Sequence, residues 1–189
     1  MEAADAVELR VLGSLIEKQR TTPDAYPLSL NSLRLACNQS TSREPIVDYD
    51  EPRIRAALER LSRKGWVRLA SGPGSRAAKY RHLFDDALNL SADEISLLAV
   101  LMLRGAQTPG ELKQRTERLY PFRTLEDAER TLRALTDREL VAELPRRRFG
   151  HLLGGDTAEE APETTTSLEE RVARLEDEVA ALRHALSRR

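Results

Sequence analysis

The sequence has little of what marks several common classes of protein. Cys37 is its single cysteine, so no internal disulfide can form and a reducing compartment is expected. Aromatic residues make up only 4% of the 189 residues, and no apolar run approaches the roughly 20 residues that a membrane-spanning helix needs. The acidic N-terminus also lacks the apolar segment of a signal peptide. We therefore expect a soluble, cytoplasmic protein with no membrane partner.

Signals of catalysis or cofactor binding are equally scarce. The three histidines, His82, His151 and His184, lie far apart, and with one cysteine they do not give the spacing of a zinc site. The glycine-rich segment 72–75 is followed by neither a lysine nor a helix, which favours a hairpin tip over a phosphate loop. The sequence thus predicts a non-enzymatic protein with no catalytic residues, no metal and no cofactor.

What the sequence does contain is an internal repeat. A shift of 86 residues aligns Glu8 with Glu94 and Pro23 with Pro109, and the apolar positions between them also match. A second block repeats at an offset of 74 residues, where Val67 aligns with Val141. Two copies of one small fold therefore make up most of the chain. The predicted division is a first domain at 1–86, a second at 87–154, a flexible linker at 155–166 and a C-terminal helix at 167–189.

Each copy has the pattern of three helices followed by a β-hairpin. In the first copy, helices are expected up to about Lys18, over 29–37 and over 50–64, where apolar residues recur at helical spacing. Residues 66–69 and 79–81 then alternate like strands on either side of a turn. This order is that of a winged helix. The predicted fold is mainly α with small β-hairpins (α+β): tandem winged-helix domains plus a C-terminal heptad helix.

The C-terminal helix has apolar residues at alternating spacings of four and three. β-Branched residues at a positions with leucine at d positions favour a parallel two-stranded coiled coil, which predicts a homodimer. Because fewer than three heptads make a marginal coil, a single amphipathic helix docked on its own domain remains the alternative. The predicted dimer interface comprises Leu168, Val172, Leu175, Val179, Leu182 and Leu186.

The net charge of −1 conceals an asymmetry between the copies. Residues 1–84 carry 14 Lys/Arg and 10 Asp/Glu, a balance of +4, whereas residues 85–153 carry 11 and 12, a balance of −1. In a winged helix the third helix enters the major groove and the hairpin contacts the backbone or the minor groove. The first copy therefore carries the candidate sites for double-stranded DNA. They are Arg53, Arg60, Arg63 and Lys64 on the third helix, and Arg76, Lys79 and Arg81 on the hairpin.

A different explanation for the third-helix cations is equally physical. Basic side chains near a helix C-terminus complement the helix dipole, and Glu59 interrupts the basic surface. The matching flank of the second copy sums to zero charge, so that copy is expected to serve another role. The two functional hypotheses are a DNA-binding or regulatory protein, and a protein-interaction adaptor that uses the second domain. Steep salt dependence would distinguish the first from the second.

The polar segment from Thr21 to Pro45 is unusually dense for a helix connection. It could build a recognition surface, or its side chains could cap helices and hold the connection to the core. The second interpretation is favoured slightly. The residues in question are Tyr26, Asn31, Asn38, Gln39 and Arg43.

This segment and its neighbours resemble the bacterial YceH-like family over roughly residues 7–153. The resemblance implies a tandem winged-helix fold and no established activity, so no catalytic residue is carried over from it. The second hairpin, 144–150, is shorter than the family's charged wing, and the heptads are taken to lie outside the shared region. The motifs that carry the resemblance are 12–18 (LGSLIEK), 21–24 (TTPD), 26–31 (YPLSLN), 36–39 (ACNQ), 43–45 (REP) and 107–112 (QTPGEL).

Overall fold

The computed structural model describes residues 3–71 and 77–154, which belong to one compact unit. The predicted linker, the heptad helix with its dimer interface, and Arg76 at the first hairpin tip lie outside the described residues. The predicted α+β fold, mainly helical with small antiparallel hairpins, is confirmed.

The first copy contains three helices and a three-stranded sheet. The short strand β1 joins the hairpin, giving the order β1-β3-β2, with Val67 opposite His82 and Leu69 opposite Tyr80. In chain order the elements are α1 (Ala6–Thr21), a 3₁₀ turn (Pro23–Ala25), β1 (Leu28–Ser29), α2 (Leu30–Cys37), α3 (Glu51–Arg63), β2 (Val67–Leu69) and β3 (Lys79–His82).

The second copy repeats the order of three helices and a hairpin after a short connecting helix, α4 (Phe84–Leu88). Its hairpin pairs Val141 with His151 and turns through a 3₁₀ segment (Pro145–Arg147). The predicted boundary between residues 86 and 87 falls inside α4. The remaining elements are α5 (Ala92–Arg104), α6 (Pro109–Arg115), α7 (Leu125–Asp137), β4 (Val141–Leu144) and β5 (Arg148–His151).

The repeat is visible in the way the first helix of each copy begins. Asp5 precedes α1, and its backbone N–H donates to the Glu8 carboxylate at 2.8 Å. Ser91, 86 residues later, precedes α5 and donates in the same way to Glu94 at 2.9 Å. A carboxylate at the third helical position accepts from an otherwise unpaired N–H and favours helix initiation. The same local signal therefore starts the corresponding helix twice.

The second helices start differently, although Pro23 and Pro109 align in the sequence. At Pro109 a helix begins, because Thr108 and Glu111 form a reciprocal capping box. The residue aligned with Glu111 is Ala25, which has no side-chain acceptor. The chain there forms only a 3₁₀ turn.

Helices α1 and α5 join the two copies into one core. Residues 7–16 of α1 are all buried, which a helix packed on one side only would not show. At their crossing, a Cβ on Gly13 would lie 2.9 Å from Leu103 Cγ and 3.3 Å from Met102 Cβ. Glycine at this position lets the two helices approach closely. The backbone N–H of Ala4 also donates to the Leu153 carbonyl, linking the start of the first copy to the end of the second.

Two buried arginines hold the connection between α2 and α3. Arg43 donates to the Ala36 carbonyl and forms two hydrogen bonds, at 2.6 and 3.0 Å, with the Glu17 carboxylate. Arg10 donates to the carbonyls of Cys37 and Pro45. Burial, reinforced by the charge of Arg43, lowers the pKa of Arg10.

Three of the polar residues singled out in this segment are structural. The Asn38 amide both donates to and accepts from the backbone of Tyr49, and the Tyr26 hydroxyl accepts from the His82 N–H at 2.8 Å. With Arg43, they confirm the interpretation that this segment is bonded to the core. Asn31 is exposed and accepts from Arg34, and Gln39 donates to the Thr41 carbonyl.

Candidate nucleic-acid interface

Helix α3 has one buried side and one exposed side. Asp50 caps its start by accepting from the Arg53 N–H, and Gly65, at φ +74°, ends it. The buried side is apolar and consists of Ile54, Ala57, Leu58 and Leu61. Three arginines are exposed to solvent, and we call them the α3 arginine surface: Arg53, Arg55 and Arg63.

Two of the four cations predicted on this helix are engaged within the protein. Lys64 Nζ lies 3.0 Å from Glu8 Oε1 and also donates to the Ala3 carbonyl, and its side chain is only 6% exposed. Arg60 Nη2 lies 2.6 Å from Asp5 Oδ2. Both side chains bind the N-terminal turn of α1 to the C-terminal turn of α3. Their first role is therefore to hold the two helices together.

The second copy contains the same connection. Arg138, which aligns with Lys64, lies 2.9 Å from Glu94, which aligns with Glu8. Arg138 also donates to the carbonyls of Leu88 and Asn89, and Asn89 aligns with Ala3. Because one bonding pattern occurs in both copies, whose surfaces differ in charge, it belongs to the architecture and not to a ligand site.

The α3 arginine surface, by contrast, has no counterpart in the second copy. At the offset of 74 residues, Arg53 corresponds to Asp127, Arg55 to Glu129 and Arg63 to Asp137. Each cation is thus replaced by an acid. Asp127 caps α7, where the hydroxyl and N–H of Thr124 lower its pKa. The arginines are therefore features in which the two copies differ, and no shared structural role accounts for them.

Arg53 lies over an aromatic ring. Its guanidinium carbon is 4.9 Å from the ring centroid of Tyr49, a cation–π arrangement. This contact restrains the side chain, which is exposed to solvent. A restrained guanidinium loses less conformational entropy when it binds a phosphate.

The first hairpin places two more arginines side by side. Arg68 on β2 lies directly opposite Arg81 on β3, so both side chains project from the same face of the sheet. Arg68 is exposed, Arg81 is half-buried, and Lys79 is exposed at the start of β3. Like charges directly across a strand pair are destabilising. A bound anion would relieve this repulsion.

Sequence reasoning thus missed Arg55 and Arg68. For Arg68 the signal was present, since it alternates with the buried Val67 and must point outward. For Arg55 the prediction followed a single flank of the helix. The exposed side is wider and extends round to the opposite flank.

Two histidines and the cysteine differ in their exposure: His82 and Cys37 are buried, and His151 is half-buried. His82 and His151 occupy the same register position in their hairpins, opposite Val67 and Val141. Burial lowers the pKa of each to about 4. Burial raises the pKa of the Cys37 thiol to about 11. These groups are neutral near pH 7 and poorly accessible.

Two other kinds of feature are absent from the part of the chain that the structure describes. Within residues 3–71 and 77–154, no helix combines the length and apolar character needed to cross a membrane. In the same part of the chain, no three His, Cys, Asp or Glu side chains converge in a way suited to a metal ion.

Comparison with known proteins gives consistent matches. The model of a family described as "Protein of unknown function, DUF480" matches residues 4–149. The chain belongs to this family. A relative from Serratia proteamaculans (strain 568), named UPF0502 protein, is 46% identical over 198 residues, covering 96% of this chain and 92% of the relative. One from Solibacter usitatus (strain Ellin6076), with the same name, is 47% identical over 96% of this chain and 93% of its own length.

The DUF480 match confirms the resemblance to YceH-like proteins. A relative from Escherichia fergusonii, named UPF0502 protein YceH, is 42% identical over 96% of this chain and 93% of its own length. The family model ends at residue 149, so the heptads lie outside the region that it matches, as expected. Residues 155–189 are nearly a fifth of the chain, so the alignments that cover 96% of it nevertheless extend into the heptad segment.

Proposed function

We propose that this DUF480 protein is a non-enzymatic, regulatory DNA-binding protein that contacts double-stranded DNA through its first copy. In this proposal the two copies are tandem winged helices, with α3 as the recognition helix and the β2–β3 hairpin as the wing. The observation that carries it is the α3 arginine surface, which the second copy replaces with acids at all three positions.

The dimensions of α3 suit the major groove. Arg53 and Arg63 are ten residues apart, about 15 Å along the helix at a rise of roughly 1.5 Å per residue. The major groove is about 12 Å wide, so arginines at the two ends can reach phosphates on both of its sides. Phosphate contacts supply affinity, and the residues between them are positioned to contact base edges.

The hairpin extends this basic surface. Strand β2 begins four residues after α3 ends, and its Arg68 is paired with Arg81. With exposed Lys79, these residues supply further phosphate contacts. Of the predicted cations, Arg53, Arg63, Lys79 and Arg81 remain in the proposal, together with Arg76 outside the described residues. Arg60 and Lys64 are assigned to the ion pairs with α1.

Binding to a labelled duplex of mixed sequence, followed by fluorescence anisotropy over a salt series, tests the proposal. The variant carries Arg53→Gln, Arg55→Gln and Arg63→Gln. Each lost phosphate contact should make the slope of log K against log salt shallower by about 0.9, and affinity at low salt should fall by roughly 10²-fold or more. None of the three has an ion-pair partner among the described residues, and the variant loses only the exposed contact of Arg53 with the Tyr49 ring, so the protein should stay folded.

The matched control removes the same charge from exposed arginines of the second copy: Arg123→Gln, Arg133→Gln and Arg146→Gln. Its affinity should stay within a few-fold of the wild type. If the control lost as much affinity for DNA, binding would depend on the net charge of the protein and not on the α3 arginine surface. No binding of the wild type in low salt would reject DNA binding altogether.

A protein-interaction adaptor is the second candidate, and one observation favours it. Leu125, the first residue of α7, is 44% exposed beside the acidic positions of that helix. A partner with apolar and basic side chains would match this surface. Binding to such a partner should persist in high salt, unlike binding to DNA. The homodimer predicted from the heptads stays a prediction, because those residues lie outside the described ranges.

A further inference from the structure

A polar cleft lies where the two copies meet, apart from the α3 arginine surface. Its volume is about 560 Å³, within the range typical of small-molecule sites. We call it the inter-copy cleft. The end of α1 and the connection after α2 form one wall, and the ends of α5 and α6 form the other. Its principal polar residues are Thr21, Gln39, Ser42, Arg104, Arg115 and Arg118.

The first wall is held firmly in place. The backbone N–H of Glu44 donates to the Leu103 carbonyl at 2.8 Å, joining the connection of the first copy to the last turn of α5. The buried Arg43 fixes the same connection to Glu17. A site with such walls needs little rearrangement to accept a ligand, and less binding free energy is lost in ordering it.

The charge in the cleft is unbalanced. Within residues 3–71 and 77–154, neither Arg104 nor Arg118 has a hydrogen bond or an ion pair from its guanidinium, and Arg115 has only a 3.5 Å contact with Glu111. Of the two acids that line the cleft, Glu17 is already neutralised by Arg43. Glu117 is exposed. Apart from the paired Glu17, the cleft is lined by Lys18 and three arginines against the single carboxylate of Glu117.

We propose that the inter-copy cleft binds a small anion bearing phosphate or carboxylate groups, with Arg104 and Arg118 as its principal ligands. The guanidinium fork suits the geometry of either oxyanion. The hydroxyl of Ser42 adds a hydrogen-bond donor. Burial and the charge of Arg115 lower the pKa of Arg104, a cost that a bound anion would offset. Since elements of both copies line the cleft, such a ligand would bridge them.

Isothermal titration calorimetry of the full chain at low ionic strength tests this, with pyrophosphate as the phosphate probe and citrate as the carboxylate probe. The test variant carries Arg104→Gln and Arg118→Gln. The control carries Arg123→Gln and Arg133→Gln, which remove the same charge from exposed positions outside the cleft. The wild type and the control should bind at least one probe, and the test variant should bind it at least tenfold more weakly.

Preference for pyrophosphate would identify a phosphorylated ligand, and preference for citrate a carboxylated one. Amide chemical-shift changes on titration should centre on the residues around Thr21, Ser42 and Arg104. The proposal is overturned if neither probe binds the wild type with a Kd below about 10 mM, if the control loses as much affinity as the test variant, or if the shift changes lie elsewhere. The measurement contains no DNA, so its failure would be separate from a failure of DNA binding.

Discussion

The two copies are most alike in the contact that joins the first and third helices of each copy, and they differ most on the solvent-exposed side of the third helix. In both, a basic residue at the end of the third helix binds a glutamate in the first turn of the first helix: Lys64 with Glu8, and Arg138 with Glu94. On the exposed side of the same helix, three arginines of one copy are acids in the other. The internal repeat thus distinguishes Lys64, whose ion pair recurs in the second copy, from the α3 arginine surface, which has no counterpart there.

The shared ion pair is not equally buried in the two copies. The side chains of Glu8 and Lys64 are 2% and 6% exposed, whereas those of Glu94 and Arg138 are 12% and 36% exposed. A buried pair cannot lose one partner without leaving an uncompensated charge away from water. An exposed pair can, because solvent replaces the missing partner.

Removing one carboxylate from each copy is the strongest test of this difference. Glu8→Gln should destabilise the protein by about 3–5 kcal/mol, because it removes the carboxylate that neutralises the buried Lys64 ammonium. Glu94→Gln should cost about 1 kcal/mol or less. Urea unfolding at pH 7 measures both. Equal effects of the two variants would contradict a buried structural role for Lys64.

A second comparison concerns the equivalent histidines, for which burial lowers the folded-state pKa to about 4 from an ordinary 6.5. Around His82, Arg81 and Arg20 lower the pKa further, whereas Asp85 and Asp86 raise it. Between pH 6.5 and 4 the unfolded chain binds protons that the folded chain does not. Stability is therefore complete above about pH 6.5 and falls as the pH decreases toward 4.

From pH 7 to pH 5, each histidine should lower the free energy of unfolding by on the order of 2 kcal/mol. Carboxylates contribute little in this window, since their unfolded pKa values lie below it. Urea titrations at pH 5, 6 and 7 measure the slope. His82→Asn and His151→Asn should each remove about half of it, whatever they do to stability at pH 7. An unchanged slope in either variant would show that its histidine is not buried as a neutral group.

The smallest expected effect comes from making the second copy resemble the first. Glu129→Arg with Asp137→Arg places cations where α3 has Arg55 and Arg63, while Asp127 keeps its capping role. The variant also removes the ion pair of Glu129 with the exposed Arg147, which contributes little to the stability of the protein. If α7 can approach DNA as α3 does, affinity should rise up to about tenfold, with a steeper salt dependence.

The control for this variant makes the same change of charge elsewhere on the second copy, at the exposed residues Glu139 and Glu143. Glu139→Arg with Glu143→Arg should increase affinity less. If both variants gained equally, position on the third helix would be irrelevant, and net charge alone would explain the binding.

Sequence patterns predicted the parts of this protein that depend on neighbouring residues. The helical spacing over 50–64 and the strand alternation at 66–69 and 79–81 act over a few residues, and the corresponding elements α3, β2 and β3 form there. The failures were long-range. Periodicity grouped Arg60 and Lys64 with Arg53, because a helical pattern shows which side a residue occupies but not what packs against that side.

The sequence by itself determined the repeated order of helices and strands. Helix caps, turns and the spacing of apolar residues all depend on residues that lie within one or two helical turns of each other. Only the tertiary structure decided which cations remain free. Lys64 finds its partner 56 residues away in Glu8, and the inter-copy cleft brings Ser42 together with Arg104. Such long-range contacts depend on the close crossing of α1 and α5 at Gly13. This crossing is a packing of whole helices, which a local sequence pattern does not predict.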